Sequence, residues 1–308
     1  MLEQYAREAL EYGKDFIAQG KTADYIPELS KADPKEIGLC ILTLDGERVL
    51  LGDAEKRFTM QSISKVVTLA LAIETLGGEE VFSHVMMEPT GDAFNSIIKL
   101  DTVSNRPYNP MINAGAIEIV NLLMPSFGFQ ELLDFTRQLC SDPLICLDEA
   151  VCRSELGTGS RNRAIAYLLE SKGVLSGNAA ETVDLYIRTC SLRVNAVSIA
   201  NLSRNLANDG VEPDSGKRLI SSYTARVVKT LMLTCGMYDG SGEFAVRAGI
   251  PAKSGVGGGV TACVEGRMGI GTYAPALDAK GNSLGGQRMI EYLSDRLGLH
   301  LLDTKRSR

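Results

Sequence analysis

The feature that most constrains the fold is an apolar run that begins directly after a serine and a lysine three residues apart. Ser62 and Lys65 open the stretch, and residues 66–73 continue it with a threonine as their only polar member. Gly77 and Gly78 follow, which is a typical end for a helix. We therefore predict a helix whose first turn, with its hydroxyl and amine, is surrounded by apolar surface.

The spacing of Ser62 and Lys65 suits nucleophilic chemistry. Residues i and i+3 lie on one face of a helix, so the two side chains can meet within one turn. A serine hydroxyl is a weak nucleophile that needs a base within hydrogen-bond reach. For a lysine to be that base, its pKa must fall from about 10.4 to roughly 7–8. Burial and a second cation both lower a lysine pKa, and Lys253 is the candidate second cation if its strand lies beside this helix.

A second motif lies far downstream, where Lys253-Ser254-Gly255 leads into Val256 and three further glycines. Ser-x-x-Lys at a helix start and Lys-[Ser/Thr]-Gly on a late strand are the two motifs of serine acyl-transferases that work without histidine. The pair predicts a hydrolase that forms a covalent acyl-enzyme. The glycines are compatible with a tight turn or bulge, but they also leave the Val256 amide open to an oxyanion, with the Ser62 amide as its partner.

Other motifs are less favourable. Ser96 and Lys99 also have Ser-x-x-Lys spacing, but Pro107 and several turn residues follow too soon for a long helix, so we predict that this lysine is solvated. His84 and His300 are the only histidines, which does not favour a Ser-His-Asp triad. No metal-binding or phosphate-loop pattern is complete, so the sequence implies no metal and no cofactor.

Composition narrows the class of protein. The formal charge of the 308 residues is −6, which argues against nucleic acid or an anionic membrane as a partner. The seven cysteines include no Cys-x-x-Cys pair, so we expect reduced thiols. The first residues are charged and lack the apolar core of a secretory signal. We therefore expect a soluble, cytoplasmic protein.

The order of predicted elements indicates an α+β fold in one domain, residues 1–308. A leading helix, a hairpin near 37–51 and strands near 251–254, 259–265 and 268–273 place strands at both ends of the chain. The residues between are helical in pattern, with no convincing strand. We predict one antiparallel sheet lobe from residues 1–61 and 215–308, a helical lobe from 62–214, and a site in the cleft between them.

Taken together, the motifs resemble the serine-dependent glutaminase family, which shares the fold of serine β-lactamases and penicillin-binding proteins. The resemblance covers nearly the whole chain and involves segments in the family's order: Ala23-Asp24-Tyr25-Ile26-Pro27, residues 58–65, residues 89–96, residues 109–116, Cys235-Gly236-Met237-Tyr238 and residues 251–259.

The resemblance implies hydrolysis of L-glutamine to L-glutamate and ammonia. It implies Ser62 as nucleophile, Lys65 as base, Tyr238 as a helper beside them and Val256 as an oxyanion donor. The remaining substrate-binding residues that it implies are Tyr25, Asn113, Glu155, Asn162 and Tyr186. A free amino acid needs an acid for its ammonium and neutral donors for its carboxylate, which suits these residue types. The resemblance also implies a homodimer or homotetramer.

Several alternatives stay open at this point. Asn113 is equally suited to cap a helix beginning at Ala114. Tyr25 and Tyr186, taken alone, are typical packing aromatics. A β-lactam or D-amino-acid peptide hydrolase of the same fold is one alternative function, and a catalytically silent amino-acid sensor is another.

Overall fold

A computed structural model describes residues 1–93, 95–96 and 105–303 of the chain. The helices are α1 Leu2–Ile17, α2 Ser64–Leu76, α3 Gly78–His84, α4 Asn113–Leu123, α5 Phe129–Leu139, α6 Glu149–Thr158, α7 Ser160–Ser171, α8 Ala179–Cys190, α9 Ala196–Ala207, α10 Ser222–Cys235, α11 Ser241–Arg247 and α12 Leu284–Leu297. The strands are β1 Gly38–Thr43, β2 Arg48–Gly52, β3 Phe58–Thr59, β4 Cys146–Leu147, β5 Leu192–Val194, β6 Ala252–Ser254, β7 Gly259–Val264 and β8 Met268–Tyr273. Single turns of 3₁₀ helix span Leu29–Lys31, Gln61–Ile63 and Tyr238–Gly240.

The main sheet is antiparallel, with the strand order β2-β1-β8-β7-β6. Strand β1 pairs with β8 in the middle, so the two ends of the chain build one sheet, and the predicted α+β class is confirmed. Side chains of β1 alternate between two apolar clusters: Leu39 and Ile41 pack under α1 and α12, whereas Cys40 and Leu42 face the helical side. Burial on both faces explains why β1 is continuously apolar.

Helix α9 lies flush on the other face of the sheet from α1 and α12. A Cβ added at Gly269 or Gly271 of β8 would lie 2.1 Å or 2.0 Å from a backbone oxygen of α9, so only glycine permits this approach. Because α9 falls within residues 62–214, a helix from the predicted helical lobe packs directly on the sheet. The division of the chain into two lobes stays a prediction.

Helix α2 is the centre of the helical part, packed among α3, α4, α5 and α10. Every residue from Ser64 to Ile73 is buried, and the first exposed residue is Glu74. The helix ends at Leu76, where Gly77 takes a φ of +83° that an L side chain rarely adopts. The apolar run therefore forms a helix that is covered on all sides.

The prediction that no strand lies between residues 62 and 214 is wrong. Strands β4 and β5 join β3 in a small sheet with the order β3-β5-β4. Strands of two or three residues are too short to show alternation, so only tertiary pairing defines them. This sheet fixes the segment that leads into Ser62, because the Met60 amide, two residues before the serine, donates to the Leu192 carbonyl at 2.8 Å.

Two further observations bear on the sequence predictions. The Ser96 to Lys99 motif lies largely outside the described residues, so its prediction stands as made. Among the described residues, no helix is long and apolar enough to cross a membrane.

Candidate active site

Ser62 lies in a tight turn that precedes α2. The 3₁₀ turn Gln61–Ile63 carries it, and Gln61 has a φ of +48°, which is uncommon for a residue with a side chain. Gly255 and Gly257 lie against this segment, because a Cβ at these positions would be 2.6 Å from the Met60 oxygen and 2.3 Å from the Thr59 oxygen. The glycine tract therefore brings the β6–β7 turn directly beside the serine.

Lys65 lies one turn after Ser62 and is 1% exposed. Its Nζ donates to the Ser62 Oγ at 3.1 Å and to the Asn113 Oδ1 at 2.7 Å. Burial lowers the pKa of Lys65 to about 8, although the nearby Cys190 and Glu155 side chains oppose the shift. The two side chains meet as the i, i+3 spacing predicts, and the amine is close to the protonation balance that a base needs at neutral pH.

Lys253 lies on β6 beside the same turn and is fully buried. Its Nζ donates to the Gly236 oxygen at 3.0 Å and to the Ser254 oxygen at 2.7 Å. Burial first, and then the charge of Lys65, lower the pKa of Lys253 well below its ordinary value. The charge of Lys65 therefore acts on Lys253, whereas burial, and not Lys253, lowers the pKa of Lys65, contrary to the expectation that Lys253 is the second cation.

Tyr238 completes the cluster around Ser62. Its hydroxyl donates to the Ser254 oxygen at 3.2 Å and is also hydrogen-bonded to the Ser62 side chain. Burial raises the pKa of the phenol, and the bond to Ser62 opposes that shift. The phenol is thus neutral at physiological pH and lies within reach of a proton at Ser62.

A cavity opens beside Ser62 and is lined by six of the residues implied as substrate-binding: Tyr25, Ser62, Asn113, Glu155, Asn162 and Tyr186. Asn113 connects several of them. Its Oδ1 accepts from Lys65 and, at 3.3 Å, from the Tyr186 hydroxyl, and its Nδ2 donates to the Asn162 Oδ1 at 2.9 Å. The alternative that Asn113 caps its helix is wrong, because α4 begins at Asn113 itself and has no side-chain cap.

Glu155 is the acid among the described residues that line this cavity. It is 6% exposed, and its Oε2 has no hydrogen-bond partner. Burial raises the pKa of this carboxyl to about 7, against the opposing effects of a hydrogen bond from Gln61 and the charge of Lys65. A buried carboxylate oxygen without a partner is costly, so the site is suited to a ligand that brings a donor to it.

The two tyrosines enter the cavity from different elements. Tyr186 projects from α8 and is 3% exposed, whereas Tyr25 lies on the loop before the first strand and is 51% exposed. Tyr25 nevertheless lines the cavity, and burial raises the pKa of its phenol well above the ordinary value. Both hydroxyls are neutral donors at the cavity wall.

Val256 follows Ser254 and Gly255 in the β6–β7 turn and packs with Ala23 and Tyr238. Within the described part of the chain, neither the Val256 amide nor the Ser62 amide donates to a backbone acceptor. An oxyanion needs two backbone donors that are free to bind it, and the role of these two amides stays a prediction.

Comparison with known proteins identifies the family. The family model for glutaminase matches residues 20–302, which is most of the chain. The chain belongs to the glutaminase family. It is accordingly a hydrolase that acts on L-glutamine. A curated relative, glutaminase 2 of Clostridium perfringens, is 49% identical over 304 residues, covering 97% of this chain and 100% of the relative.

Solved glutaminase structures have the same fold. A probable glutaminase named ybaS superposes with a TM-score of 0.93 at 38% identity, and 98% of each chain is covered. A probable glutaminase from Bacillus subtilis, complexed with 6-diazo-5-oxo-L-norleucine, gives 0.89 at 36% identity and 97% coverage of both. The Bacillus subtilis glutaminase YbgJ has a TM-score of 0.89 at 35% identity, covering 98% of this chain and 100% of that chain, and its structure is a covalent complex with 5-oxo-L-norleucine formed by reaction with the same reagent.

Sequence reasoning missed some residues of this glutaminase cavity. Gln61, Cys190 and Arg161 also line it. Cys190 follows Tyr186 by four residues on α8, so helical spacing places both on one face. For Gln61, the comparable signal is its position directly before Ser62. Arg161 carries no signal beyond its neighbour Asn162.

Proposed function

We propose that Ser62 attacks the side-chain amide of L-glutamine while Lys65 accepts its proton. The observation that carries this proposal is the 3.1 Å contact between the Lys65 Nζ and the Ser62 Oγ, made by an amine whose pKa is lowered to about 8. At neutral pH a useful fraction of that amine is unprotonated, which a base requires.

The substrate is held by its two charged ends. Glu155, with its unpartnered Oε2, accepts a hydrogen bond from the α-ammonium. Tyr25, Asn113, Asn162 and Tyr186 line the same cavity and supply neutral donors for the α-carboxylate. An ammonium beside Glu155 also stabilises the carboxylate in its charged form.

The reaction then passes through a tetrahedral oxyanion held by the amides of Ser62 and Val256. Removing one such donor typically costs 10²–10³ in turnover, about 2.7–4 kcal/mol. As the C–N bond breaks, the proton taken from Ser62 passes to the leaving ammonia, either from Lys65 or through the neutral phenol of Tyr238. Water then attacks the glutamyl ester on Ser62, which releases glutamate and restores the hydroxyl.

We also propose a cytoplasmic location and a homodimeric or homotetrameric assembly. The first is supported by the cysteines, all seven of which are free thiols and six of which are buried. Free thiols persist in reducing compartments. The second is supported by the family resemblance, and light scattering of the purified protein tests it.

The test of the reaction is ammonia release from L-glutamine by the wild type and by Ser62→Ala. Ser64→Ala is a matched control, because Ser64 is also buried and lies two residues away. We expect release by the wild type and the control and a loss of at least about 10⁴-fold in Ser62→Ala. L-asparagine and a chromogenic cephalosporin, run in parallel, test the alternative substrates. Equal activity of Ser62→Ala and wild type would exclude Ser62 as the nucleophile.

A further inference from the structure

Lys253 has a place in the site that the reaction above leaves unused. It is fully buried on β6, and the proposed reaction assigns it neither a proton nor a contact with the substrate. Burying an amine is costly, and its bonds to two carbonyls account for how it is held but not for why an amine is present. An apolar residue of similar length would avoid that cost.

Both carbonyls that Lys253 binds lie next to Tyr238: one is in the turn before it and the other accepts a hydrogen bond from its hydroxyl. The Gly236 oxygen accepts from Lys253 at 3.0 Å and from the Ser254 amide at 3.2 Å, which ties the turn before Tyr238 to β6. The Ser254 oxygen accepts from Lys253 at 2.7 Å and from the Tyr238 hydroxyl at 3.2 Å. The same carbonyl therefore receives both the amine and the phenol.

Two further features show that Tyr238 needs this support. Its φ is +54°, a conformation that an L side chain adopts only when its surroundings impose it. A Cβ at Gly236 would lie 1.8 Å from the Ala252 oxygen, so the turn is pressed against β6 with no spare room. The Lys253 Nζ also lies over the Tyr238 ring, 4.4 Å from its centroid, so the amine packs against the face of the ring.

We propose that Lys253 is a positioning residue that holds the Tyr238 hydroxyl at Ser62 and takes no direct part in the chemistry. By binding the carbonyls of Gly236 and Ser254 and the face of the ring, it fixes the strained turn from three sides. The inference rests on the proposed function, because it gives Tyr238 a role in proton transfer at Ser62.

The test is a double-mutant cycle of Lys253→Met and Tyr238→Phe in the full chain, with kcat and KM measured for L-glutamine. If Lys253 acts through the phenol, Lys253→Met lowers kcat about 10²-fold and changes KM less than about threefold. In the Tyr238→Phe background the same substitution then lowers kcat no more than about threefold, because the hydroxyl that it positions is already gone.

A matched control and a structural readout separate positioning from general damage. Lys229→Met removes another nearly buried lysine, which pairs with Glu265 away from the site, and we expect its kcat to stay within about twofold of wild type. A crystal structure of Lys253→Met should show the Tyr238 hydroxyl displaced from Ser62. Lys253→Gln, which keeps a polar end with N–H donors, enters the same cycle if Lys253→Met does not fold.

The outcomes are distinct. The positioning role would be overturned if the kcat losses of Lys253→Met and Tyr238→Phe multiplied in the double variant. It would also be overturned if Lys253→Met raised KM and left kcat unchanged, or if its crystal structure showed the Tyr238 hydroxyl still at Ser62. Failure of the proposed function has another signature, since Ser62→Ala would then keep the activity of wild type whatever the behaviour of the Lys253 variants.

Discussion

Two concave regions of this glutaminase both contain charged and polar groups but differ in what those groups can do. The catalytic cavity has a volume of about 60 Å³, whereas a second concavity, between the β1–β2 hairpin and α9, has about 550 Å³. Glu155 lines the small cavity, Lys65 is bonded to Ser62 and Asn113 in its wall, and burial moves both pKa values toward neutrality.

The large concavity shows the opposite behaviour. Arg204 pairs there with Asp214 at 2.8 Å, and the hydrogen bond from Arg204 lowers the pKa of an Asp214 carboxyl whose side chain is 72% exposed. The Asp214 carboxylate is therefore charged, paired and largely hydrated, so it holds the fold and has no proton to exchange near pH 7. Burial, more than cavity size or the number of charges, therefore makes a group chemically useful here.

The largest expected effect is at Lys65. We expect Lys65→Met to lower kcat for glutamine by about 10²–10⁴-fold, because the base is lost, while the unfolding free energy does not fall, because a buried amine is removed. Ammonia release and urea denaturation measure the two quantities. Lys229→Met is the control. A large loss of stability in Lys65→Met would show that the buried amine holds the fold, as the ion pairs of the large concavity do, and would contradict the comparison.

The next effect is on substrate binding at Glu155. We expect Glu155→Gln to lower kcat/KM by about 10–100-fold, mainly through KM, because a charged hydrogen bond to the ammonium is worth about 1.5–3 kcal/mol. Glu149→Gln, an exposed acid on the same helix, is the matched control and should change kcat/KM less than about twofold. A Glu155→Gln enzyme with unchanged KM would remove Glu155 from the binding role.

Burial of Glu155 also predicts a pH dependence of stability. Burial raises the pKa of its carboxyl from 4.5 to about 7 in the folded state, so the folded protein holds this proton more tightly than the unfolded chain does. The stability that results is fully present below pH 4.5 and is lost as the pH rises through 7. We expect this group to cost the wild type up to about 3 kcal/mol by pH 8, and Glu155→Gln to avoid that loss. Urea denaturation of both proteins at pH 4.5 and 8 measures it. A stability difference that does not vary with pH would contradict the raised pKa.

The smallest effect is expected in the large concavity. Asp214→Asn should reduce the unfolding free energy by less than about 1 kcal/mol at pH 7, because its carboxylate is largely exposed to water. The kinetics for glutamine should stay within about twofold of wild type. A larger kinetic change would show that this region communicates with the catalytic cavity.

The strongly patterned parts of the chain were predictable. Helix α2, the hairpin of β1 and β2, and strands β7 and β8 follow apolar runs or alternation with glycine or turn residues between them. The meeting of Ser62 and Lys65 was predictable for the same reason, because it depends on a single turn. Strands β4 and β5 were not, because pairing alone defines such short segments.

The rest of the cavity required the fold. Glu155 and Tyr186 come from α6 and α8, far from Ser62 in the chain, and a resemblance to known sequences indicated them where periodicity did not. The positive φ values of Gln61 and Tyr238 have no local signal, since neither residue favours that conformation. They are imposed by close packing of the glycine tract and of Gly236 against neighbouring backbone.

By itself the sequence determined a buried helix with a serine and a lysine on its first turn, and a glycine-rich strand end able to approach it. Only the tertiary structure decided that Lys65, Glu155 and Lys253 are desolvated together and that Tyr238 is held against Ser62. The physical reason is range: helix spacing is a property of neighbouring residues, whereas burial, and the pKa shifts that follow from it, sums contacts from segments spread over the whole chain.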